Sequence, residues 1–278
     1  MILDGRKTAD ILNDILKQDV DKLIKKPRLE IILVGNNPAS QSYVKAKLKT
    51  ASKLGMTVNI TNIPETASQK DVSDLIISFN SNKEIHGILL QLPLPKHMNS
   101  DYLIELIDYK KDVDGFHTMN QGLLFQNKAG IRPATPLGIM MLLDHYNIPI
   151  EGKHVVVIGR SQIVGAPVAK MFLDRHATVT ITHSRTKNLS DITKQADILV
   201  TAIGKPKFVK KEMVKIGAVV IDVGINRIDD KLIGDVDFEA VEPIASYITP
   251  VPKGVGPMTI CALAHNLYKL YKEQEKHS

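Results

Sequence analysis

Apolar residues along the chain follow two patterns, one typical of helices and one typical of buried strands. Stretches with apolar residues every three or four positions predict helices at 8–24, 40–54, 70–80, 102–107, 136–146, 166–174, 189–195 and 258–270. Short apolar or β-branched runs predict strands at 29–34, 58–63, 85–90, 154–158, 178–182, 198–202 and 219–223. For the helix at 136–146 we expect Thr135 as the N-cap, with Pro136 in the first turn.

Strands and helices alternate along the whole chain. This order predicts parallel sheets whose strands are joined by crossover helices. Pro133 and Pro136 mark the expected seam between two α/β domains arranged around a cleft. We expect the first domain to take residues 1–137 and to be completed by a closing helix at 258–278, and the second to take residues 138–257.

Composition indicates an ordinary globular protein. The 278 residues are enough for two domains, and 44% hydrophobic with 24% charged residues is the globular norm. The net charge of +6 is spread along the chain, which suits small anionic ligands and does not predict a nucleic-acid surface. The single cysteine, Cys261, is expected in the core. Neither a signal peptide nor a membrane span is predicted, so we expect a cytoplasmic protein.

The strongest local signal follows the strand at 154–158. A turn of sequence GRSQIVG, residues 159–165, leads from that strand into a helix. Free backbone N–H groups at the start of such a helix predict a site for an anion such as a pyrophosphate. The turn is a variant of the G-x-G-x-x-G fingerprint, because Ser161 and Val164 replace its second and third glycines. A strand–turn–helix without any ligand would have the same pattern, so both interpretations stay open at this point.

A basic loop favours the nucleotide interpretation. About 20 residues after the turn the fingerprint places a ribose-binding acid, but here the strand at 178–182 is followed by His183, Ser184 and Arg185. A carboxylate would repel a 2′-phosphate, whereas a cationic loop with a hydroxyl group would bind one. The sequence therefore favours NADP over NAD, with a plain solvated loop as the alternative.

The first half of the chain carries polar residues that would meet at one sheet edge. Tyr43 and Lys47 are four residues apart and share a helical face, and Gln91 follows a predicted strand. Open α/β sheets bind ligands beyond the carboxyl ends of their strands, where Gln91 would lie. Plain interpretations exist as well: an exposed amphipathic pair, a strand end, and turn formation by Asp112 and Asp114.

Eight segments together resemble one family over essentially the whole chain. Their order and spacing are similar to those of the bifunctional methylenetetrahydrofolate dehydrogenase/methenyltetrahydrofolate cyclohydrolases. The segments are NPASQSYVKAK, GILLQLPLP, KDVDGFH, PATPLGI, VVIGRSQIVGAPVA, VIDVGINR, GDVDF and YITPVPKGVGPMT. The resemblance implies oxidation of 5,10-methylenetetrahydrofolate to the 5,10-methenyl form with NADP, and then hydrolysis to 10-formyltetrahydrofolate.

The resemblance also implies roles for residues in the folate chemistry. Lys47 is expected to carry the proton in hydrolysis, with a pKa lowered by desolvation, and Gln91 is expected to be its hydrogen-bonding partner. Tyr43 is expected to pack on the aminobenzoyl part of folate and Asp114 to bind the pterin. These four residues form the expected catalytic set. Further substrate contacts are expected at Ser42, Pro252, Gly254, Gly256 and Pro257.

Expected cofactor contacts fall into three groups and no metal is expected. The 2′-phosphate would meet Arg160, Ser184 and Arg185. The pyrophosphate turn would use Gly159, Ser161, Ile163 and Gly165, and the nicotinamide side would use Ala202, Gly204 and Ile225, while His183 would stack or fill space.

The implied organisation is a folate-binding catalytic domain, residues 1–137 with 258–278, and a Rossmann-like NADP-binding domain, residues 138–257. The resemblance implies a homodimer formed through the cofactor domains. Three positions depart from what we expect in relatives, namely Lys253 in place of glycine, Thr118-Met119 in place of a proline-containing pair, and Ala134 in place of cysteine. These departures bear on affinity more than on the type of reaction.

Two other classes of function are considered. A monofunctional NAD(P)-dependent methylenetetrahydrofolate dehydrogenase of the same fold would lack an equivalent of Lys47. A non-catalytic NADP-binding protein would have lost the catalytic set. The presence of Tyr43, Lys47, Gln91 and Asp114 favours the bifunctional enzyme over both.

Overall fold

A computed structural model describes residues 1–229 and 231–276. Contacts between Cα atoms divide these residues into two compact units. We call residues 11–134 with 260–276 the three-stranded unit, and residues 1–10 with 135–259 the five-stranded unit, after their parallel sheets. Residues 277 and 278 of the predicted closing helix lie outside the described residues. In the described part of the chain, no helix is both long and apolar enough to cross a membrane.

The three-stranded unit is built on a parallel sheet of order β2-β1-β3. Its strands are β1 (Arg28–Val34), β2 (Thr57–Ile63) and β3 (Gly87–Leu90). Its helices are α2 (Pro38–Lys53), α3 (Gln69–Ser81), α4 (Ser100–Leu106) and α5 (Thr118–Phe125), together with most of α1 (Gly5–Asp21) and of α10 (Val255–Glu275).

Apart from Arg28 and Glu30, strand β1 carries apolar side chains on both faces, because the sheet is covered on both sides at this central strand. Leu29, Ile31 and Leu33 pack into one core cluster, and Ile32 and Val34 pack into another. The alternation follows from the period of two in a strand, where successive side chains point to opposite faces. A sheet buried on both sides is expected where parallel strands are joined by helices.

Local sequence fixes where α2 and α3 begin. The side chain of Asn37 accepts a hydrogen bond from the Ser40 N–H, and Pro38 occupies the first turn of α2. Ser68 and Asp71 form a reciprocal capping box at the start of α3. Because α2 begins just after β1 ends, the start of the helix lies at the carboxyl edge of the sheet.

The five-stranded unit contains a parallel sheet of order β10-β7-β6-β4-β5. Its strands are β4 (His154–Ile158), β5 (Thr178–Thr182), β6 (Ile198–Thr201), β7 (Val219–Asp222) and β10 (Tyr247–Ile248). An antiparallel hairpin is formed by β8 (Asn226–Ile228) and β9 (Lys231–Ile233). The helices are α6 (Ala134–His145), α7 (Gly165–Leu173), α8 (Leu189–Thr193) and α9 (Phe238–Val241), with a short 3₁₀ helix at Lys211–Met213.

The strand order of the five-stranded unit creates a switch point beside β4. This strand lies between β5, which follows it in the chain, and β6, which comes later. The chain passes from β4 to β5 on one side and then crosses back to β6 on the other side of β4. This reversal opens a crevice at the carboxyl ends of β4 and β6. Open α/β sheets bind ligands in this crevice. The prediction of two α/β domains with parallel sheets is thus confirmed.

Some elements differ from the sequence prediction. Helix α5, the β8–β9 hairpin, α9 and β10 were not predicted, because they are short and carry no regular apolar pattern. The expectation that Thr135 caps α6 is wrong, since the helix already begins at Ala134. The Thr135 hydroxyl lies instead at 3.0 Å from that of Thr259.

Candidate functional site

Helix α2 carries a charged side chain on its buried face. Its buried residues are Ser40, Val44, Lys47 and Ala51, which are spaced so that they form one stripe along the helix. Lys47 therefore stands where an apolar residue is expected, and its residue exposure is 7%. Removing an ammonium group from water costs several kcal/mol unless neighbours compensate it. The groups around Lys47 determine how far its charge is compensated and in which direction its pKa changes.

Gln91, which directly follows β3, accepts a hydrogen bond from the buried lysine. Lys47 Nζ donates to Gln91 Oε1 at 3.1 Å. The Gln91 side-chain amide donates to the carbonyl oxygen of Leu92 at 2.6 Å, which orients its own oxygen toward Lys47. The Gln91 backbone N–H is also held, because it donates to the carbonyl oxygen of Ile32 at 2.9 Å. The structure thus brings together two residues of the expected catalytic set.

Asp114 reaches the same sheet edge through a segment that pairs with β3. The Ile88 N–H donates to the carbonyl oxygen of Lys111 at 2.7 Å, and Ile88 and Asp112 form a parallel bridge. Since the two segments run in parallel, Asp114 lies two residues beyond the bridge, toward the end of β3 where Gln91 lies. The charges of Asp114 and Lys47 interact.

Burial biases both charged groups toward their neutral forms. It lowers the pKa of Lys47, and the negative charge of Asp114 opposes part of that change. It likewise raises the pKa of Asp114, and the positive charge of Lys47 opposes part of that change. An amine with a lowered pKa can accept and return a proton closer to neutral pH than an ordinary lysine can.

Tyr43 and Ser42 precede this lysine on α2. Tyr43 lies one turn before Lys47 on the same helical face and is half-buried. Burial raises the pKa of the Tyr43 phenol, which therefore stays neutral and offers an aromatic face with a hydroxyl group. Ser42 is exposed.

The predicted cofactor turn lies at the switch point of the five-stranded unit. Gly159 follows β4 with a φ of 119°, and a Cβ there would lie 2.5 Å from the carbonyl oxygen of Ala202, at the end of β6. A Cβ on Gly165 would lie 2.3 Å from the carbonyl oxygen of Gly159. Only glycine fits these two close approaches. The turn and the predicted nicotinamide-side residue Ala202 are thus neighbours.

One expectation about this turn is wrong. The sequence predicted free N–H groups at the start of α7, but Ser161 already satisfies several of them. Its hydroxyl accepts from the N–H groups of Val164 and Gly165 at 3.2 and 3.3 Å, and its carbonyl oxygen accepts from that of Ala166 at 3.0 Å. Ser161 therefore braces the turn against the start of α7, whose N-cap residue, Val164, makes no side-chain cap hydrogen bond. The exposed turn residues that remain to face a ligand include Arg160 and Ile163.

The basic loop after β5 fits an anionic group. Ser184 and Arg185 are exposed, and His183 is half-buried with its Nδ1 accepting from the Arg185 N–H at 3.2 Å. In the described part of the chain neither Arg160 nor Arg185 forms an ion pair with a carboxylate. Two cationic side chains that no acid neutralises would suit a phosphate next to the dinucleotide turn.

The remaining predicted contacts also belong to the five-stranded unit. Gly204 and Ile225 are exposed beyond β6 and β7. Pro252, Gly254, Gly256 and Pro257 lie in the loop before α10 and in its first turn, whereas Tyr43, Lys47, Gln91 and Asp114 belong to the three-stranded unit. Lys253, in place of the expected glycine, has a φ of 84°, which glycine adopts without strain.

Comparison with protein-family models covers both units. The catalytic-domain model of the tetrahydrofolate dehydrogenase/cyclohydrolases matches residues 3–114, and the model of their NAD(P)-binding domain matches residues 133–275. The chain belongs to the tetrahydrofolate dehydrogenase/cyclohydrolase family. This result confirms the resemblance noted in the sequence.

Individual members of the tetrahydrofolate dehydrogenase/cyclohydrolase family agree with this assignment. The bifunctional protein FolD of Acholeplasma laidlawii is 77% identical over 99% of this chain and 100% of its own. A crystal structure of the bifunctional FolD enzyme of Campylobacter jejuni has 45% identity and a TM-score of 0.95, covering 98% of this chain and 99% of that one. The Trypanosoma brucei enzyme, solved with NADP cofactor and an inhibitor, has 35% identity and a TM-score of 0.96 and covers 99% and 98%.

Sequence reasoning gave Asp112 no role in this family's site beyond a turn. Its buried carboxylate accepts hydrogen bonds from the N–H groups of Gly115 and His117, both at 2.9 Å, and from the side chain of Asn120 at 3.0 Å. These bonds hold the loop that contains Asp114. The sequence signal was the pairing of aspartates with a glycine in KDVDGFH, which is typical of a turn. In the structure this glycine, Gly115, has a φ of 75° and its N–H donates to Asp112.

Asp222 and Asp235 were also missed, although both lie in segments that carried the family resemblance. Asp222 ends β7 and accepts from the N–H groups of Gly224, Asp235 and Val236 at 2.9 to 3.0 Å. Both aspartates are buried. Burial raises the pKa of Asp222 to about 7, against the opposing effect of these hydrogen bonds.

We predict that Asp222 makes folding stability depend on pH. Its folded pKa of about 7 lies above the ordinary 3.8, so between these values the folded chain keeps a proton that the unfolded chain has lost. This group's contribution to the free energy of unfolding should therefore fall as the pH rises through that window. Asp222→Asn should remove a fall of up to about 4 kcal/mol. Urea unfolding at a series of pH values measures the change.

Asp237→Asn is the matched control for this experiment. Asp237 is ion-paired with Lys210 at 3.0 Å, and that hydrogen bond lowers its pKa below 3.8. The control should consequently leave the pH dependence above about 4 unchanged. If Asp222→Asn gives the same pH slope as the parent, the assignment of the titration to Asp222 is wrong.

Proposed function

We propose that this protein oxidises 5,10-methylenetetrahydrofolate to 5,10-methenyltetrahydrofolate with NADP and then hydrolyses the product to 10-formyltetrahydrofolate. The observation that carries the proposal is the buried Lys47–Gln91 pair close to the charge of Asp114. Membership of the tetrahydrofolate dehydrogenase/cyclohydrolase family supports both activities.

The oxidation asks little acid–base chemistry of the protein. NADP, when bound, accepts the hydride that leaves the methylene carbon. The product is a cation delocalised over two nitrogens, so no proton has to move in this step. The contribution of the chain is to hold the two reactants in register. The turn at 159–165, Ala202 and Gly204 are proposed to do this on the cofactor side.

The hydrolysis needs a proton carrier. Water adds to the methenyl carbon and must lose a proton, and the carbon–nitrogen bond that then breaks must give its nitrogen a proton. Lys47 in its amine form is proposed to take the proton from the water and to return it to the departing nitrogen. Gln91 holds the Lys47 nitrogen in place through the bond from Nζ to Oε1.

Asp114 and Tyr43 are proposed to orient the folate. An ionised carboxylate can accept two N–H bonds from the aminopyrimidinone ring of the pterin. Positive charge on Lys47 or on the substrate favours the ionised form of Asp114, because burial alone raises the pKa of Asp114 and Lys47 opposes that change. The half-buried ring of Tyr43, one turn from Lys47, offers a flat apolar face for the aminobenzoyl group. Ser42, Pro252, Gly254, Gly256 and Pro257 remain predicted substrate contacts.

The alternatives are less well supported. Burying the Lys47 ammonium group in α2 reduces stability. A monofunctional dehydrogenase would not need a proton carrier, so nothing in its reaction would offset that loss. A non-catalytic NADP-binding protein would have no reason to keep Lys47, Gln91 and Asp114 at one sheet edge. Dehydrogenation without any hydrolysis in the purified protein would favour the first alternative.

NADP is proposed as the cofactor because of the charges near the dinucleotide turn. Arg160 and Arg185 are exposed, and the loop after β5 carries no acid before residue 188. The Trypanosoma brucei relative was solved with NADP. The proposed contacts of the 2′-phosphate are Arg160, Ser184 and Arg185, and His183 stays a weaker candidate.

A homodimer through the cofactor domains and a cytoplasmic location are part of the proposal. Strand β5 lies at the edge of its sheet, and its Ile181 is 43% exposed. An uncharged edge strand with an exposed isoleucine is a surface that another chain can cover. Light scattering should give the mass of two chains, and the mass of one chain would contradict the dimer. A chain whose single cysteine, Cys261, is buried has no internal disulfide, which is compatible with a reducing compartment.

Removal of the Lys47 amine should stop hydrolysis. Lys47→Ala is expected to lower the cyclohydrolase kcat by about 100-fold or more, because general acid–base catalysis typically contributes that much. The rate is followed by the loss of methenyltetrahydrofolate absorbance. Lys45→Ala, which alters an exposed lysine on the same helix, is the control and should keep the parent rate. A Lys47→Ala enzyme with more than about a tenth of the parent rate, a barrier change under about 1.4 kcal/mol, would refute the role.

Removal of the two guanidinium groups should weaken NADP more than NAD. The double variant Arg160→Ala with Arg185→Ala is expected to raise the KM for NADP by about tenfold or more, since each charge-assisted bond contributes about 1.5–3 kcal/mol. The KM for NAD should change by less than about twofold. Arg175→Ala is the control, because that arginine is ion-paired with Asp144. Equal increases for both cofactors would remove the argument for a 2′-phosphate site.

A further inference from the structure

One buried carboxylate holds the loop that follows β6. Asp235 has no exposed surface. Its Oδ2 accepts from the N–H groups of Ile203 and Gly204 at 2.8 and 3.0 Å, and its Oδ1 accepts from the N–H of Lys205 at 2.7 Å. Three successive N–H groups on one carboxylate fix both the path and the orientation of this loop.

The same carboxylate also holds the segment that follows β7. The side chain of Asn226 donates to Asp235 Oδ1 at 3.1 Å and to the carbonyl oxygen of Ile233 at 3.2 Å, across the β8–β9 hairpin. A Cβ on Gly224 would lie 2.1 Å from Asp235 Oδ1, so the backbone packs directly on the carboxylate. Asp235 therefore joins two segments that leave neighbouring strands at the same edge of the sheet.

These two segments contain the residues expected at the nicotinamide side of the cofactor. Ala202 directly precedes the three bonded N–H groups, and Gly204 donates one of them. Ile225 lies between Gly224 and Asn226. Ala202 also contacts the dinucleotide turn, since its carbonyl oxygen would be 2.5 Å from a Cβ on Gly159. A displacement of the loop after β6 would therefore alter the position of residues expected to contact the cofactor.

We propose that Asp235 is a positioning residue for the nicotinamide half of the dinucleotide. It acts by accepting hydrogen bonds from the N–H groups of the 203–205 loop and from the side chain of Asn226, which together hold the loop and the 224–226 segment in one arrangement. Asp235 is buried beneath these two segments and acts on the cofactor through Ala202, Gly204 and Ile225. The inference rests on the proposed NADP-dependent activity and adds to it a residue responsible for cofactor geometry.

Asp235→Asn is the most informative variant. The asparagine has the same shape but offers one acceptor oxygen, and its amide N–H₂ would face N–H donors that it cannot accept from. The loop should lose its fixed path. We expect the dissociation constant for NADP, measured by calorimetry, to rise by about tenfold, and the dehydrogenase kcat to fall as well. The factor should be the same for NAD, because the 2′-phosphate lies at the other end of the cofactor.

A readout on the cofactor-free protein tests the cause directly. Amide hydrogen exchange at Ile203, Gly204 and Lys205 should be slow in the parent, since all three N–H groups are bonded to Asp235. In Asp235→Asn it should be at least about tenfold faster, while the β4 amides keep their protection. The cyclohydrolase reaction, which needs no cofactor, should stay within about twofold of the parent.

Asp237→Asn is the matched control for charge, because this carboxylate is paired with Lys207 and Lys210 rather than with the loop. Asn226→Ala removes one bond to Asp235 and should give a smaller change in the same direction. If Asp235→Asn does not fold, Asn226→Ala decides the question. Unchanged cofactor affinity, or equal losses of cofactor binding and cyclohydrolase activity, would overturn the proposal. A parent protein without NADP-dependent oxidation would instead refute the proposed function itself.

Discussion

The cost of burying the Lys47 ammonium group is the constraint on which the proposed chemistry depends. The helix α2 could bury an apolar residue at this position, next to Val44 and Ala51, and be more stable. Lys47 is tolerated because Gln91 accepts its hydrogen bond and Asp114 supplies a negative charge. The same burial lowers the pKa of Lys47. What reduces stability is therefore also what allows the amine to exchange a proton closer to neutral pH than an ordinary lysine does.

In each unit a buried aspartate holds a loop at the carboxyl edge of the sheet. Asp112 accepts bonds from the loop that contains Asp114, and Asp235 does the same for the loop at the nicotinamide side. In each case a carboxylate inside the protein accepts N–H groups that would otherwise be unsatisfied. Loops without regular secondary structure thereby gain defined positions. The residues expected to contact ligands are thus supported by others that need not touch a ligand.

Much of the fold and some of the site could be predicted because the signals are local. The apolar periods give the main helices and strands, and the spacing of Tyr43 and Lys47 places both on one face of α2. Membership of the family was predictable from eight segments that match in order. The loop contacts of Asp235 were not predictable, because its hydrogen-bond partners lie about 30 residues away and a sequence pattern does not contain such contacts. The bonds that Ser161 accepts from Val164 and Gly165 are local, but the fingerprint pattern does not distinguish a serine that bonds the turn from one that faces a ligand.

The protonation of Lys47 tests the account most directly. Lysine side chains labelled with ¹³C and ¹⁵N can be titrated by NMR, with the Lys47 signals assigned through their absence in Lys47→Ala. We predict that the Lys47 amine loses its proton below the ordinary lysine pKa of 10.5, because burial lowers that pKa. Gln91→Ala, which removes the acceptor of its hydrogen bond, should lower the value further. Titration of Lys47 at or above 10.5 would contradict the account.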